Sequence, residues 1–379
     1  MKSWLIWATA SVFALPACSS DESSTGAPDA GSSYLALPGA TAVISGAVYD
    51  PEVFFFSSRT FSLPPEAGPD AYPPPALFEG PYLAQSAVPG ARVDLESQGA
   101  PVASSEPTTP GGQYQIGGVP VSESEEYLLA VSPPEGEVQL GADLPPPTFT
   151  PVPPARYFPA KTLRTVVPAS TYCYFQMVSA VGNAGALSSV AQVRSTSVPE
   201  LLNRATTGGI ILFWVYAPSP FLNYFVIPAE GVTAATNRGT LYAIDWAPPG
   251  RGPPGQSALG FIAAAGGVSP IGYYALVLPP GAPSPVTVTF SDPGPPPAPP
   301  GPPPGGPPAV PPGAEVEPPP EDPGRPWTIP PFTGTVSAGV SVQHIYAQPG
   351  APPPGGSPGL EGAGPMPDFS WTCEAPPAP

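Results

Sequence analysis

Ala87-Val88-Pro89-Gly90-Ala91-Arg92-Val93-Asp94-Leu95 reads as a half-buried β-strand entered through a turn. Pro89 and Gly90 break the chain, and after them Val93 and Leu95 alternate with Arg92 and Asp94. A period of two turns one set of side chains to a core and the other to water. Upstream, Val43-Ile44-Ser45-Gly46-Ala47-Val48-Tyr49 is a second strand, ending at an Asp50-Pro51 turn. Downstream, Gly112-Gln113-Tyr114-Gln115-Ile116-Gly117-Gly118-Val119-Pro120 alternates in the same way, and Tyr127-Leu128-Leu129-Ala130-Val131 completes a small antiparallel set.

The wider composition agrees. The chain has 379 residues, of which 69 are proline and 42 glycine, with only 10% charged. Each proline removes a backbone donor and clashes inside a helix, so long helices are excluded. Short β-branched and aromatic runs between turn residues are the all-β pattern. A formal net charge of −17 repels nucleic acid and anionic headgroups, so attachment to a membrane has to come from a lipid.

Beyond a proline-rich bridge from Pro133 to Pro168, Tyr172–Val178 is a strand and Arg156-Tyr157-Phe158 an extended piece. Ser197, Pro199 and Glu200 mark a helix start: an N-cap, a proline in the first turn and an acid three residues on. Gly209–Tyr216 is apolar at nearly every position, which predicts a strand covered on both faces. Gly239–Ile244 is another strand, and Gly272–Gly281 with Pro285–Phe290 reads as a closing hairpin. Asp292–Pro326 is mostly proline and glycine and leans towards polyproline II. Strand character returns over Phe332–Tyr346, which is expected to join a sheet edge of the same unit.

Taken together, the four N-terminal runs resemble the carboxypeptidase regulatory-like domain, a transthyretin-like β-sandwich. The match rests on the Gly90-Ala91 and Val119-Pro120 pairs and on the spacing of the strands, and it departs at Pro51–Ser86, where the family has a short turn. That insert carries Phe54-Phe55-Phe56, Tyr72, Phe78 and Tyr82, either a binding surface or a packing layer. The resemblance implies an all-β chain of two small antiparallel β-sandwiches with long Pro/Gly-rich insertions and tails. The expected boundaries are 42–165 with an insert at 51–86, and a more divergent 166–348 with the insertion 292–326. A Pro/Gly-rich tail, 349–379, follows.

The N-terminus has its own logic. Lys2, an apolar run from Trp4 to Ala14, and then Leu15-Pro16-Ala17-Cys18 follow the order of a secretory signal peptide. A dozen or so apolar residues fall short of the roughly 20 that a membrane-crossing helix needs. The small residues before Cys18 resemble the lipobox of bacterial lipoproteins; the alternatives are an ordinary secretory signal or an anchor. The resemblance implies removal of residues 1–17, lipidation of Cys18 and a flexible tether over 18–41. In that family a serine after the cysteine, here Ser19, goes with the outer membrane. Cys173 and Cys373 remain as an even pair in an exported chain, which suggests one disulfide, the alternative being two free thiols.

No stretch points to catalysis. The regulatory-like resemblance does not bring carboxypeptidase activity, because that zinc site needs two histidines and the chain has one, His344. Gly355-Gly356-Ser357-Pro358-Gly359 matches G-x-S-x-G in letters but lacks the strand and helix of a nucleophile elbow. No phosphate or calcium loop appears, and no metal or cofactor is expected. The expectation is a non-enzymatic envelope protein, held to the membrane by its N-terminal lipid, with a protein or glycan ligand and no nucleic acid. A hydrolase with an unrecognised site is the alternative.

Overall fold

Turn residues cut the chain into short strands that assemble in layers. The computed structural model describes residues 39–60, 82–122, 124–142, 150–163, 165–171, 173–203, 205–218, 228–281, 285–294, 325–336 and 339–349. The middle layer is a nine-stranded sheet. Its order is β15 (Phe261–Ala265), β14 (Thr240–Trp246), β16 (Tyr273–Val277), β12 (Ile210–Tyr216), β19 (Val340–Tyr346), β8 (Ala160–Thr162), β5 (Leu128–Ser132), β2 (Arg92–Ser97) and β3 (Ala100–Ser104). On one side, β1 (Thr41–Tyr49) pairs antiparallel with β4 (Gln113–Pro120) and parallel with β9 (Cys173–Phe175) and β10 (Val178–Ser179). A small sheet of β6 (Glu137–Val138), β7 (Ala155–Phe158) and β11 (Val181–Gly182) extends this cover. On the other side lie β13 (Thr233–Thr236), β17 (Pro285–Ser291) and β18 (Phe332–Thr335).

The expected all-β sandwich class is what the chain adopts, and β12 shows why two cores form. All seven of its residues are buried. Ile210, Leu212, Trp214 and Tyr216 enter one core, with Ile44, Ile116, Val93 and Leu129. Ile211, Phe213 and Val215 enter the other, with Val286, Val288 and Tyr274. Both sandwiches therefore use the same middle sheet.

That sharing corrects three expectations. Strands do not divide at 165/166, because β19 lies between β12 and β8 and carries the sheet from one half to the other. Its pairings with both are parallel, as are those of β9 and β10 with β1, within sheets whose other strand pairings are antiparallel. Phe332–Tyr346 is not one strand: β18 joins β17, and the chain then returns through Gly339, at φ 76°, to the sheet centre rather than to an edge. The closing hairpin also fails, since β16 pairs with β12 and β14 while β17 pairs with β13 and β18. Pro279, Pro280 and Gly281 mark a layer crossing there, not a two-strand turn.

The first ten residues of the insert after β1 are not a loop. Pro51–Thr60 is a helix, α1, with Phe54, Phe55 and Phe56 all buried. Phe55 packs against Trp214, Trp246 and Phe261, with centroids 5.4 to 5.9 Å away. These aromatics are a packing layer; Tyr72 and Phe78 lie outside the described residues. A second helix, α2 (Ala186–Val193), lies on β15. A third, α3 (Val198–Leu201), starts where the sequence places it, with Ser197 accepting from the Glu200 amide at 3.3 Å.

At the base of the Pro/Gly-rich segment, Asp292 and Arg325 meet in an ion pair at 2.9 Å with almost no side-chain exposure. Asp292 also accepts from the Gly294 and Trp327 amides, and the Arg325 guanidinium lies 4.2 Å from the Trp327 ring centre. Arg325→Ala would leave the carboxylate buried without its counter-ion. A loss of about 3 kcal/mol is expected in urea unfolding, the lower end for breaking a buried pair. A loss below about 1 kcal/mol would mean that the pair is solvated.

Candidate functional site

Ionisable groups collect where β1 runs into α1. Asp50 ends the strand and caps the helix: its Oδ1 accepts from the amides of Glu52 at 2.8 Å and Val53 at 3.1 Å. Pro51 fits the first helical position because its missing N–H would have no intrahelical partner there. Two residues on, Glu52 turns to a different helix, and its Oε1 accepts from the Ala186 amide at 2.7 Å at the start of α2. Each buried acid thus accepts from backbone N–H groups at a helix start that have no intrahelical partner.

Two tyrosines complete the pair. Tyr157 of β7 donates to Asp50 Oδ2 at 2.9 Å, and Tyr273 of β16 donates to Glu52 Oε1 at 2.7 Å. Asp50 is 1% exposed and Glu52 2%. Burial raises the pKa of both carboxyls above the ordinary range, and the neighbouring Asp50 raises Glu52 further. The hydrogen bonds pull the other way without cancelling burial. The second oxygen of Glu52 has no hydrogen-bond partner. Gly185 makes room for it: a Cβ there would lie 1.6 Å from Oε2.

A second polar group ties β10 to the centre of the middle sheet. Ser179 Oγ is 2.8 Å from His344 Nε2, and Tyr216 OH is 3.0 Å from His344 Nδ1. The imidazole stacks with both Tyr216 and Tyr49, at 5.7 and 6.3 Å between centroids. Hydroxyl, imidazole and a third group at these spacings is the arrangement that activates a nucleophile. Here Ser179 is 4% exposed, and burial pushes His344 down to about 4, a weak base near neutral pH. Tyr216 supplies no negative charge to raise it, because burial pushes its own pKa well above the ordinary phenol value. The adjoining cavity, lined by Tyr49, Phe55, Trp214 and Tyr216, has room of about 10 Å³, about one water.

Of the residues singled out in the sequence, Cys173 is buried at the start of β9, with Sγ 3.3 Å from Ser45 Oγ. Cys18, Cys373 and the Gly355–Gly359 motif lie outside the described residues. The acid pair escaped the sequence reading, which took Asp50-Pro51 as a turn; Asp-Pro-Glu is also the signature of a capped helix start. Nothing in the sequence draws Tyr157 or Tyr273 to it, or Ser179 to His344. Among the described residues, no group of three or more His, Cys, Asp or Glu is placed to hold a metal, and no helix is long and apolar enough to cross a membrane.

No family model and no curated protein matches the chain. Two solved structures superpose loosely. The TIE protein of Bacillus anthracis is 8% identical at a TM-score of 0.19, covering 82% of this chain, which spans 34% of that one. The shaft pilin SpaA of Lactobacillus rhamnosus GG, solved as a double mutant, is 10% identical at 0.19, covering 83% of this chain and 99% of its own.

Proposed function

We propose that the chain is a non-catalytic envelope lipoprotein, anchored by Cys18 and presenting its shared-sheet sandwich as a structural or binding module for a protein or glycan. One observation carries the non-catalytic reading: among the described residues, the buried acids, the histidine and the serine beside it are spent inside the fold. Asp50 and Glu52 cap helices, His344 joins two strands, and Ser179 is sealed beside it. A substrate would have to displace core side chains to reach them.

The anchoring reading rests on the sequence from Lys2 to Ser19. Several acyl chains hold firmly where one holds marginally, at about 0.8 kcal/mol per buried CH₂. Cys18→Ser is expected to move the protein from the membrane to the soluble fraction and remove the lipid mass. A variant with wild-type fractionation and mass would sink the lipoprotein reading. Non-reducing peptide mapping of the wild type tests the proposed Cys173–Cys373 bridge, and two free thiols would refute it. Hydrolysis of peptidoglycan or peptides that disappears in His344→Ala would favour the hydrolase instead.

A further inference from the structure

The acid pair does more than cap two helices. Glu52 holds the start of α2 through Ala186, and α2 in turn guards an edge of the middle sheet. Ser189 of that helix accepts from the Ala263 amide of β15 at 2.7 Å and donates to the Gly255 carbonyl at 2.8 Å. Since β15 is the last strand of the sheet, Ser189 occupies a backbone donor that would otherwise be open to another strand.

The groups facing Glu52 are Asp50 from its own helix start, Tyr273 from β16, Tyr157 from β7 and the backbone N-terminus of α2. Among the described residues no ion pair reaches either carboxylate. The space beside Glu52, walled by Pro51, Ala180, Trp214 and Val342, leaves no room for a water molecule. A second charge in that enclosure would have neither counter-ion nor solvent, and two close carboxylates then share one proton. The proton belongs with Glu52, whose Oε2 has no donor to accept from, while both oxygens of Asp50 are satisfied.

We propose that Asp50, Glu52 and the start of α2 form a proton-operated latch. With one proton on the pair, α2 stays seated on β15; its loss as pH rises lets α2 lift and bares that sheet edge. The sign follows from linkage. A carboxyl held protonated in the closed form ionises when it meets water, so opening releases a proton and is favoured at higher pH. The closed state has its full advantage below the ordinary carboxylate pKa and loses it as pH rises towards about 8, the value to which Glu52 is raised.

Amide hydrogen exchange at Leu187, Val190 and Ala263, corrected for intrinsic rates, reads the opening. Between about pH 5 and 8 the opening equilibrium of the wild type is expected to rise by up to about tenfold per pH unit, the limit for one proton. Glu52→Gln keeps an acceptor for Ala186 and cannot ionise, so above about pH 6, the value to which Asp50 is raised, its opening should no longer change with pH. Equal slopes in the two proteins would overturn the latch. Should Glu52→Gln fail to fold, the ¹³C carboxyl shift of wild-type Glu52 decides: a midpoint above pH 6 supports the proposal, and one at the ordinary carboxylate value overturns it.

Discussion

Gly46→Ala is expected to cost at least about 3 kcal/mol, the upper range for forcing extra volume into a packed site. A Cβ at Gly46 would lie 1.9 Å from the Gln176 carbonyl oxygen and 2.7 Å from its carbon. Those are backbone atoms, so no rotamer change relieves the contact. Nor can the peptide swing away freely. The Gln176 amide donates to Ser45 at 2.8 Å, and its carbonyl accepts from Tyr114 at 2.9 Å. Relief means parting β1 from β9, the pairing that brings the second half of the chain onto the first sheet. Gly117→Ala in β4 is the control: no atom lies within 4 Å of its Cβ, and a change within about 0.5 kcal/mol is expected there. Urea unfolding of the two variants measures the contrast, and equal stabilities would show that the strands slide apart at little cost.

Gly46 also shows how far the sequence could be read. Its place within a strand was plain, but the reason for a glycine was not, because the opposing carbonyl is 130 residues away. Local signals held up. Alternation located β2 and β4, the all-apolar run located β12, and Ser197 with Glu200 located a helix start. Partnership was the illegible part. Period two assigns the faces of a strand and says nothing about which edge it meets, so β19 could be recognised as a strand but not placed at the sheet centre. The acid pair was hidden for a related reason. Charge argues for solvent exposure, and only the arrival of Tyr157, Tyr273 and α2 from distant parts of the chain makes burial tolerable.

Ending the chain after Asp292 is expected to unfold the N-terminal strands as well as the C-terminal ones. Such a chain loses β18 and β19. Removal of β19 leaves β12 and β8 without their common neighbour, and the pairings Leu212 to Val342 and Val342 to Thr162 vanish together. Val340 and Val342, 1% and 3% exposed, come out of the first core, and Ile345, 4% exposed, out of the second. Burying one such side chain contributes about 1.5 to 3 kcal/mol, so these three alone reach about 5 to 9. That matches the whole stability of many domains. His344 leaves too, stranding Ser179 and Tyr216 without the ring that joins them. The decisive readout is amide exchange in β2 and β5, far from the cut in sequence yet in the same sheet. Loss of protection there is the expected result. Full protection of β2 and β5 with loss confined to β12, β14 and β16 would mean two independent sandwiches, and would overturn the shared sheet.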